Sequence, residues 1–310
     1  MRQAAGNRVR QAALVALMTL AACMPPAVVP VALPPPAPVV PETAESAALR
    51  AHYDNMQAAM LATGLWRTDT APTDAPFTDR NLAVNFLKIA LYDEYSGGKV
   101  TKASNEAPIA LRRWDKPVRV SLIFGPAVPA EQVATDTARI SSYLAHLAQV
   151  TGHPIGLVTH APNFWVHIAT IDERRAMGPT LQAELTEVTP NQIDSITNMQ
   201  PDTYCQVVTQ FDGATSTYAA AVTVIPSELP TLIRLACIDE ELAQSLGLPN
   251  DSNGARPSIF NDDEEFALLT RQDELMLRML YDPALRPGMT EREARPIVQT
   301  LATRLMGDNS

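Results

Sequence analysis

Residues 227–251, SELPTLIRLACIDEELAQSLGLPND, constrain the fold more than any other stretch. Leu232, Ile233, Leu235, Ala236, Cys237 and Ile238 make the first half of a helix apolar nearly all round, and a helix without a polar face is buried. Ser227 is its expected N-cap. The helix then presents Asp239, Glu240, Glu241 and Gln244; Gly247 ends it, and Asn250 and Asp251 follow. Carboxylates on a buried helix are costly unless they are partnered or near solvent. The chain must therefore fold around this helix and still accommodate its acidic end.

The elements ahead of it read as layers that could do so. Residues 42–63 form a helical stripe through Leu49, Tyr53, Met56 and Met60, ended by Gly64. After a Pro/Thr/Asp-rich loop, Thr78 caps a second helix over 79–95 that Ser96-Gly97-Gly98 closes. Gly98-Lys99 lacks the glycine spacing and the following Ser or Thr of a phosphate loop. A strand is expected at 109–114 and another at 118–124, where Val118, Val120, Leu122 and Phe124 alternate with period two. Pro129 opens a long helix to Val150, apolar at Val133, Ile140, Leu144 and Leu147, which should lie on the sheet. Strands at 155–159 and 163–169 follow, then a polar insertion of short helices at 171–200. A hairpin pairs 203–211 with 217–225 through Asp212-Gly213. With 46% apolar residues to build a core, this order is an α+β pattern in a single domain.

The N-terminus is a different kind of sequence. Arg2, Arg8 and Arg10 precede an apolar run from Ala12 to Ala22, and Leu20-Ala21-Ala22-Cys23 resembles the bacterial lipobox. The resemblance implies a lipoprotein signal over 1–22, lipid on Cys23, and a chain anchored in the cell envelope facing the periplasm. Met24 in the next position implies the outer membrane. Residues 25–41 hold eight prolines in seventeen positions, a composition that favours a semi-rigid polyproline II spacer of about 50 Å. The expected division is 1–22 signal, 23–43 lipidated cysteine and tether, 44–76 N-terminal helix and loop, and 77–310 globular domain. A formal charge of −10 argues against nucleic-acid partners. In an oxidising compartment the other two cysteines, Cys205 and Cys237, are expected as a disulfide tying a strand to the central helix, with two buried thiols as the alternative.

Glu240-Glu241-x-x-Gln244-x-x-Gly247-x-x-Asn250 has the spacing of the metzincin zinc-protease motif HExxHxxGxxH. The order of sheet, backing helix and hairpin before it resembles the N-terminal half of a zincin. Ser258-Ile259-Phe260-Asn261 resembles the Met-turn, with Phe260 at the methionine position. The run from Leu269-Thr270 through Asp273 to Leu280-Tyr281 is similar to the final helix of that class. The region 237–282 also resembles an uncharacterised bacterial secreted family that keeps the glutamates, the Gly-Leu and the Asn-Asp. The implied fold is a zincin-like α+β domain with a twisted mixed sheet, a central helix and a C-terminal helical subdomain.

The implied chemistry is altered, because every histidine is missing. Glu240, Gln244 and Asn250 stand at the ligand positions, Glu241 at the general base and Gly247 at the turn glycine, with Asp251, Ser258, Phe260 and Tyr281 as supporting positions. One carboxylate and two amides are a poor set for zinc and suit harder cations better. Three readings stay open: a divalent metal completed by Asp239 or Asp251, a metal-free acid/base pair, and a binding or structural role without cofactor. The leading expectation is a non-catalytic binding or assembly module for an envelope protein or peptide. The alternative is a hydrolase of peptide or cell-wall substrates using Glu241 as base.

Elsewhere the signals are weaker. His52, His146, His153, His160 and His167 show no ligand spacing, and His167 would approach the cleft only from an edge strand. Residues 261–265, NDDEE, lack the glycine and alternation of an EF-hand and read as a solvated acidic loop. Arg256 and Arg286, each before a proline, could offset the acidic cleft.

Overall fold

A computed structural model describes residues 40–93, 107–261 and 263–307. The signal, Cys23, most of the tether, the Ser96-Gly97-Gly98 segment and Asp262 lie outside the described residues. No helix among the described residues is long and apolar enough to cross a membrane.

The framework is a five-stranded mixed sheet. In chain order its strands are β3 (Val118–Phe124), β4 (Ile155–Leu157), β5 (Phe164–Ala169), β6 (Gln206–Phe211) and β7 (Tyr218–Pro226). They are arranged β4-β3-β5-β7-β6. β3, β4, β5 and β7 run parallel, and β6 joins the edge antiparallel through the hairpin to β7. The parallel pairings follow from the connections. Helix α3 (Ala130–Thr151) carries the chain from β3 to β4, and three short helices, α4 (Ile171–Arg175), α5 (Gly178–Glu184) and α6 (Pro190–Thr197), occupy the polar insertion after β5. The result is a mixed α/β fold with the expected sheet and backing helix.

Each strand face has its own cover. Phe164, Val166 and Ile168 of β5 face the main core with Ile140, Leu144 and Leu147 of α3 and with helix α7 (Thr231–Gln244). Trp165 and Ala169 face the other way, onto Met177, Leu181, Leu185 and Ile196 of the insertion. Period two in the sequence thus became two different cores.

Below the sheet lie α2 (Asp79–Ala90), α8 (Arg271–Leu280) and α9 (Glu291–Gly307), which add Leu82, Phe86, Met276, Leu280 and Val298 to the main core. Thr78 caps α2 in a reciprocal box with Asn81. α2 stops at Ala90, because the chain turns into a two-residue strand, β1 (Tyr92–Asp93), paired with β2 (Ala107–Pro108). The segment 109–114, expected as a strand, forms none; it meets the sheet at one bridge, Arg113 with Thr217, where Tyr218 N of β7 donates to Arg113 O (3.1 Å). Its amides go to loop and helix-end carbonyls: Ile109 N to Leu91 O (2.9 Å) and Leu111 N to Met289 O (2.8 Å).

The N-terminal helix α1 (Ala44–Ala62) is capped by Thr43 and followed by Gly64 at φ +80°. It docks on the domain through polar contacts to distant residues. Ser46 donates to the buried Glu228 (2.8 Å), and Thr43 donates to Asp172 (2.6 Å).

Candidate functional site

Helix α7 is held at both ends by side chains from elsewhere in the chain. It starts at Thr231 with Pro230 as N-cap, three residues later than the Ser227 cap read from sequence, and neither residue caps it with a side chain. Pro230 supplies the favoured entry geometry but no acceptor. The acceptor comes from α1: Gln57 Oε1 takes the amides of Leu232 (3.1 Å) and Ile233 (3.3 Å). At the other end Trp114 Nε1 donates to Ser245 O (2.8 Å) and Tyr281 Oη donates to Leu246 O (3.1 Å). These are the orphan carbonyls of a helix terminus.

The expected disulfide is present. Cys205 and Cys237 are joined, with Cα atoms 5.9 Å apart, linking the residue before β6 to the middle of α7. Closing a loop of this size stabilises the fold by about 3–4 kcal/mol.

Gly247 has a structural reason to be glycine. Its φ is +126°, and a Cβ there would stand 2.1 Å from Arg112 O. The turn after α7 passes directly over the 109–114 segment, which only a residue without a side chain permits.

The polar positions of the motif are brought near one another but do not converge. Glu240 is half-buried and Glu241 is 6% exposed on α7. Gln244 donates through Nε2 to Asp251 Oδ1 over a long 3.4 Å. Asn250, 2% exposed, turns its amide nitrogen to Lys88 O on α2 (3.0 Å). Among the described residues no group of three His, Cys, Asp or Glu side chains is arranged to hold a metal ion. Zinc does not fit the set Glu240, Gln244 and Asn250, because two of the three donors would be weak amide oxygens and no imidazole or thiolate stands among them.

The supporting positions are far more tightly built. Ser258 follows a cis Arg256-Pro257 bond, and Ser258, Ile259 and Phe260 fold onto the start of α8. Asp273, 0% exposed, accepts from Ser258 Oγ (2.5 Å), Ile259 N (3.0 Å), Thr270 N (2.8 Å) and Thr270 Oγ1 (2.8 Å). Thr270 Oγ1 and Gln272 Nε2 both reach Pro257 O, and Asn85 of α2 donates to Gln272 Oε1 (2.9 Å). Phe260 is fully buried in the core. Burial pushes the Asp273 carboxyl up to about 6 against the pull of its donors.

Asp239 connects the two regions. Its Oδ2 accepts from Leu269 N (3.3 Å), just before α8, and its carbonyl accepts from Tyr143 Oη of α3 (2.7 Å). With one long hydrogen bond to offset desolvation, its carboxyl is pushed up to about 7. Asp239, Glu241 and Asp273 are buried acids of this region. Asp273 could be anticipated as the third helical residue of a Thr270 capping box; nothing local marks Asp239 as an acid raised by burial.

The histidines form no ligand cluster among the described residues, although His146 acts electrostatically on Asp239. His167 is on the middle strand of the sheet, and its Nε2 pairs with Glu184 of α5 (2.8 Å) on the face away from α7. That overturns an approach from an edge strand. His146 pairs with Glu274 (2.8 Å), and His153 Nε2 lies 2.9 Å from Lys116 O. In the acidic segment at 261–265 Asp263 is exposed, while Glu264 and Glu265 are tied to other parts of the chain: Arg256 and Arg67 both pair with Glu265, and Trp66 Nε1 donates to Glu264 (2.8 Å). Arg256 thus neutralises that loop.

A family model described as a protein of unknown function (DUF2927) matches residues 79–300. Comparison with curated proteins and with solved structures gave no match. The matched span contains the whole sheet, α7, the Ser258–Phe260 turn and α8, and it leaves α1 outside. The chain therefore belongs to the DUF2927 family of proteins of unknown function.

Proposed function

We propose that this chain is an envelope-anchored binding or assembly module: a zincin-like domain, lipidated at Cys23 on the periplasmic face of the outer membrane, that has lost zinc chemistry. One contrast supports the reading. The turn at Ser258–Phe260 is anchored on the buried Asp273, while the ligand positions hold one carboxylate and two amides, Glu240, Gln244 and Asn250, in place of three imidazoles. A scaffold kept in this condition without a ligand set is what a binding role requires. The partner class is an envelope protein or a peptide, since the acidic domain disfavours phosphate-rich partners. Elemental analysis of the untagged full chain tests it. The expected result is substoichiometric zinc that is the same in Glu240→Ala; one equivalent of zinc that disappears in Glu240→Ala would overturn the reading.

A second reading rests on Glu241, a carboxylate 6% exposed at the general-base position of α7. In it the domain is a hydrolase of peptide or cell-wall substrates with an atypical oxygen-ligated metal. Glu241→Gln should then abolish hydrolysis of peptidoglycan fragments while the melting temperature stays near wild type. Unchanged turnover by that variant eliminates the hydrolase.

A further inference from the structure

Helix α1 closes a cavity of about 240 Å³ against α4 and the segment after α6. Much of its wall is apolar, from Leu49, Tyr53, Ile171, Met199 and Pro201. Arg174 lines the same space, is 2% exposed, and has a buried Nε without a hydrogen-bond partner. A buried guanidinium is normally paired, because its desolvation is expensive.

Arg175 is already engaged at the mouth, donating to both oxygens of Glu45 at 2.6 and 2.7 Å. Glu228 is the counter-charge beside Arg174 and attracts it electrostatically, but the two form no ion pair among the described residues. Glu228 Oε1 is taken by Ser46 Oγ (2.8 Å) and Ile171 N (2.7 Å), and its Oε2 is buried without a hydrogen-bond partner. Burial holds the Arg174 guanidinium below its ordinary range. A volume of about 240 Å³ equals roughly eight waters at about 30 Å³ each, the size of a molecule of about ten heavy atoms.

We propose that this cavity binds a carboxylate carrying an apolar body, with the carboxylate on Arg174 and the body against Leu49, Tyr53 and Met199. An oxyanion accepts from the Arg174 N–H groups that line the cavity. The wall also carries Glu45, Arg175, Thr197, Asn198 and Gln200, so the apolar body packs on the side of Leu49, Tyr53 and Met199, which inorganic phosphate would leave uncovered. A second hollow of about 350 Å³ shares Gln200 and Pro201 and continues past His52, Met56 and Tyr204, giving a longer acid room along α1. The same chemistry is offered by a small free acid and by the C-terminus of a peptide. The proposal is independent of α7, none of whose residues lines either hollow.

Isothermal titration of the full chain with phenylacetate, with N-acetyl-Leu-Phe, with the amide of that dipeptide and with inorganic phosphate tests it. Saturable binding of at least one acid is expected, about tenfold or more tighter than the amide. Arg174→Lys, which keeps the charge and loses the planar fork, should weaken it about tenfold. Leu49→Trp fills the cavity from a half-buried position on α1 and should abolish binding with the circular-dichroism melt unchanged. Phenylacetate alone binding identifies a free acid; the dipeptide alone binding identifies a chain terminus. The proposal fails if neither acid binds at millimolar concentration, if amide or phosphate binds as well as acid, or if both variants bind like wild type. It also fails if crystals grown with phenylacetate show only water on Arg174.

Discussion

The Ser258–Phe260 turn and the Glu240–Asp251 segment sit on either side of Asp239, yet they are built to different standards. In the turn one carboxylate, Asp273, receives four donors from three residues and is wholly buried. In the other segment Gln244 makes a 3.4 Å bond to Asp251, and Asn250 is turned onto a backbone carbonyl of α2. A network whose members are all satisfied specifies a unique local structure. The contrast separates what the fold needs from what the fold only carries.

The largest expected effect lies in the turn. Asp273→Ala leaves buried donors of Ser258, Ile259 and Thr270 without an acceptor and should cost about 3–5 kcal/mol in urea denaturation. A loss below 1 kcal/mol would remove the distinction between the two segments.

Asp239, between them, should reveal itself by pH. Its folded pKa of about 7 lies above the ordinary 3.8, so between those values the folded chain holds a proton that the unfolded chain has released. Stability should fall as pH rises through that window, by on the order of 1.4 kcal/mol per unit at most, and Asp273 adds a loss of the same sign up to about 6. Asp239→Asn should reduce the slope between pH 4 and 6, where Asp273 still contributes, remove it between 6 and 7, and exceed wild type above that; urea midpoints across that range decide. The smallest effect is expected at Gln244→Ala, under about 0.5 kcal/mol, since its one long bond is half-exposed. A cost equal to that of Asp273→Ala would show that the motif end is structural after all.

Much of the scaffold was legible because it is written in local periods. Val118 to Phe124 alternate and form β3; Val133 to Leu147 repeat at helical spacing and form α3. The segment 109–114 is expected as a strand yet meets the sheet at a single bridge, Arg113 with Thr217, because residue pattern does not name the partner. The same limit applies at the site. Ser258, Phe260 and Thr270-x-x-Asp273 could be picked out as a pattern, but a full shell of donors around Asp273 depends on Pro257, Gln272 and Asn85 meeting in space. Asn250 turning to Lys88, and His167 taking Glu184 on the far face of the sheet, are likewise decided by packing. Of Arg174 and Arg175, adjacent and alike in sequence, one is buried beside a cavity and the other is exposed and ion-paired.

The acceptor that Gln57 lends to α7 has a consequence for the order of events during synthesis. Gln57 leaves the ribosome before the amides of Leu232 and Ile233, which lie 175 and 176 residues further along. Until then α1 cannot bury its apolar stripe, since Tyr53 joins the main core and Leu49, Met56 and Met60 pack against it only in the finished domain. Docking of α1 is therefore a late, long-range step, made when the rest of the domain has emerged. A nascent chain stalled before residue 232 carries an N-terminal helix with nowhere to land, a natural target for chaperones and proteases.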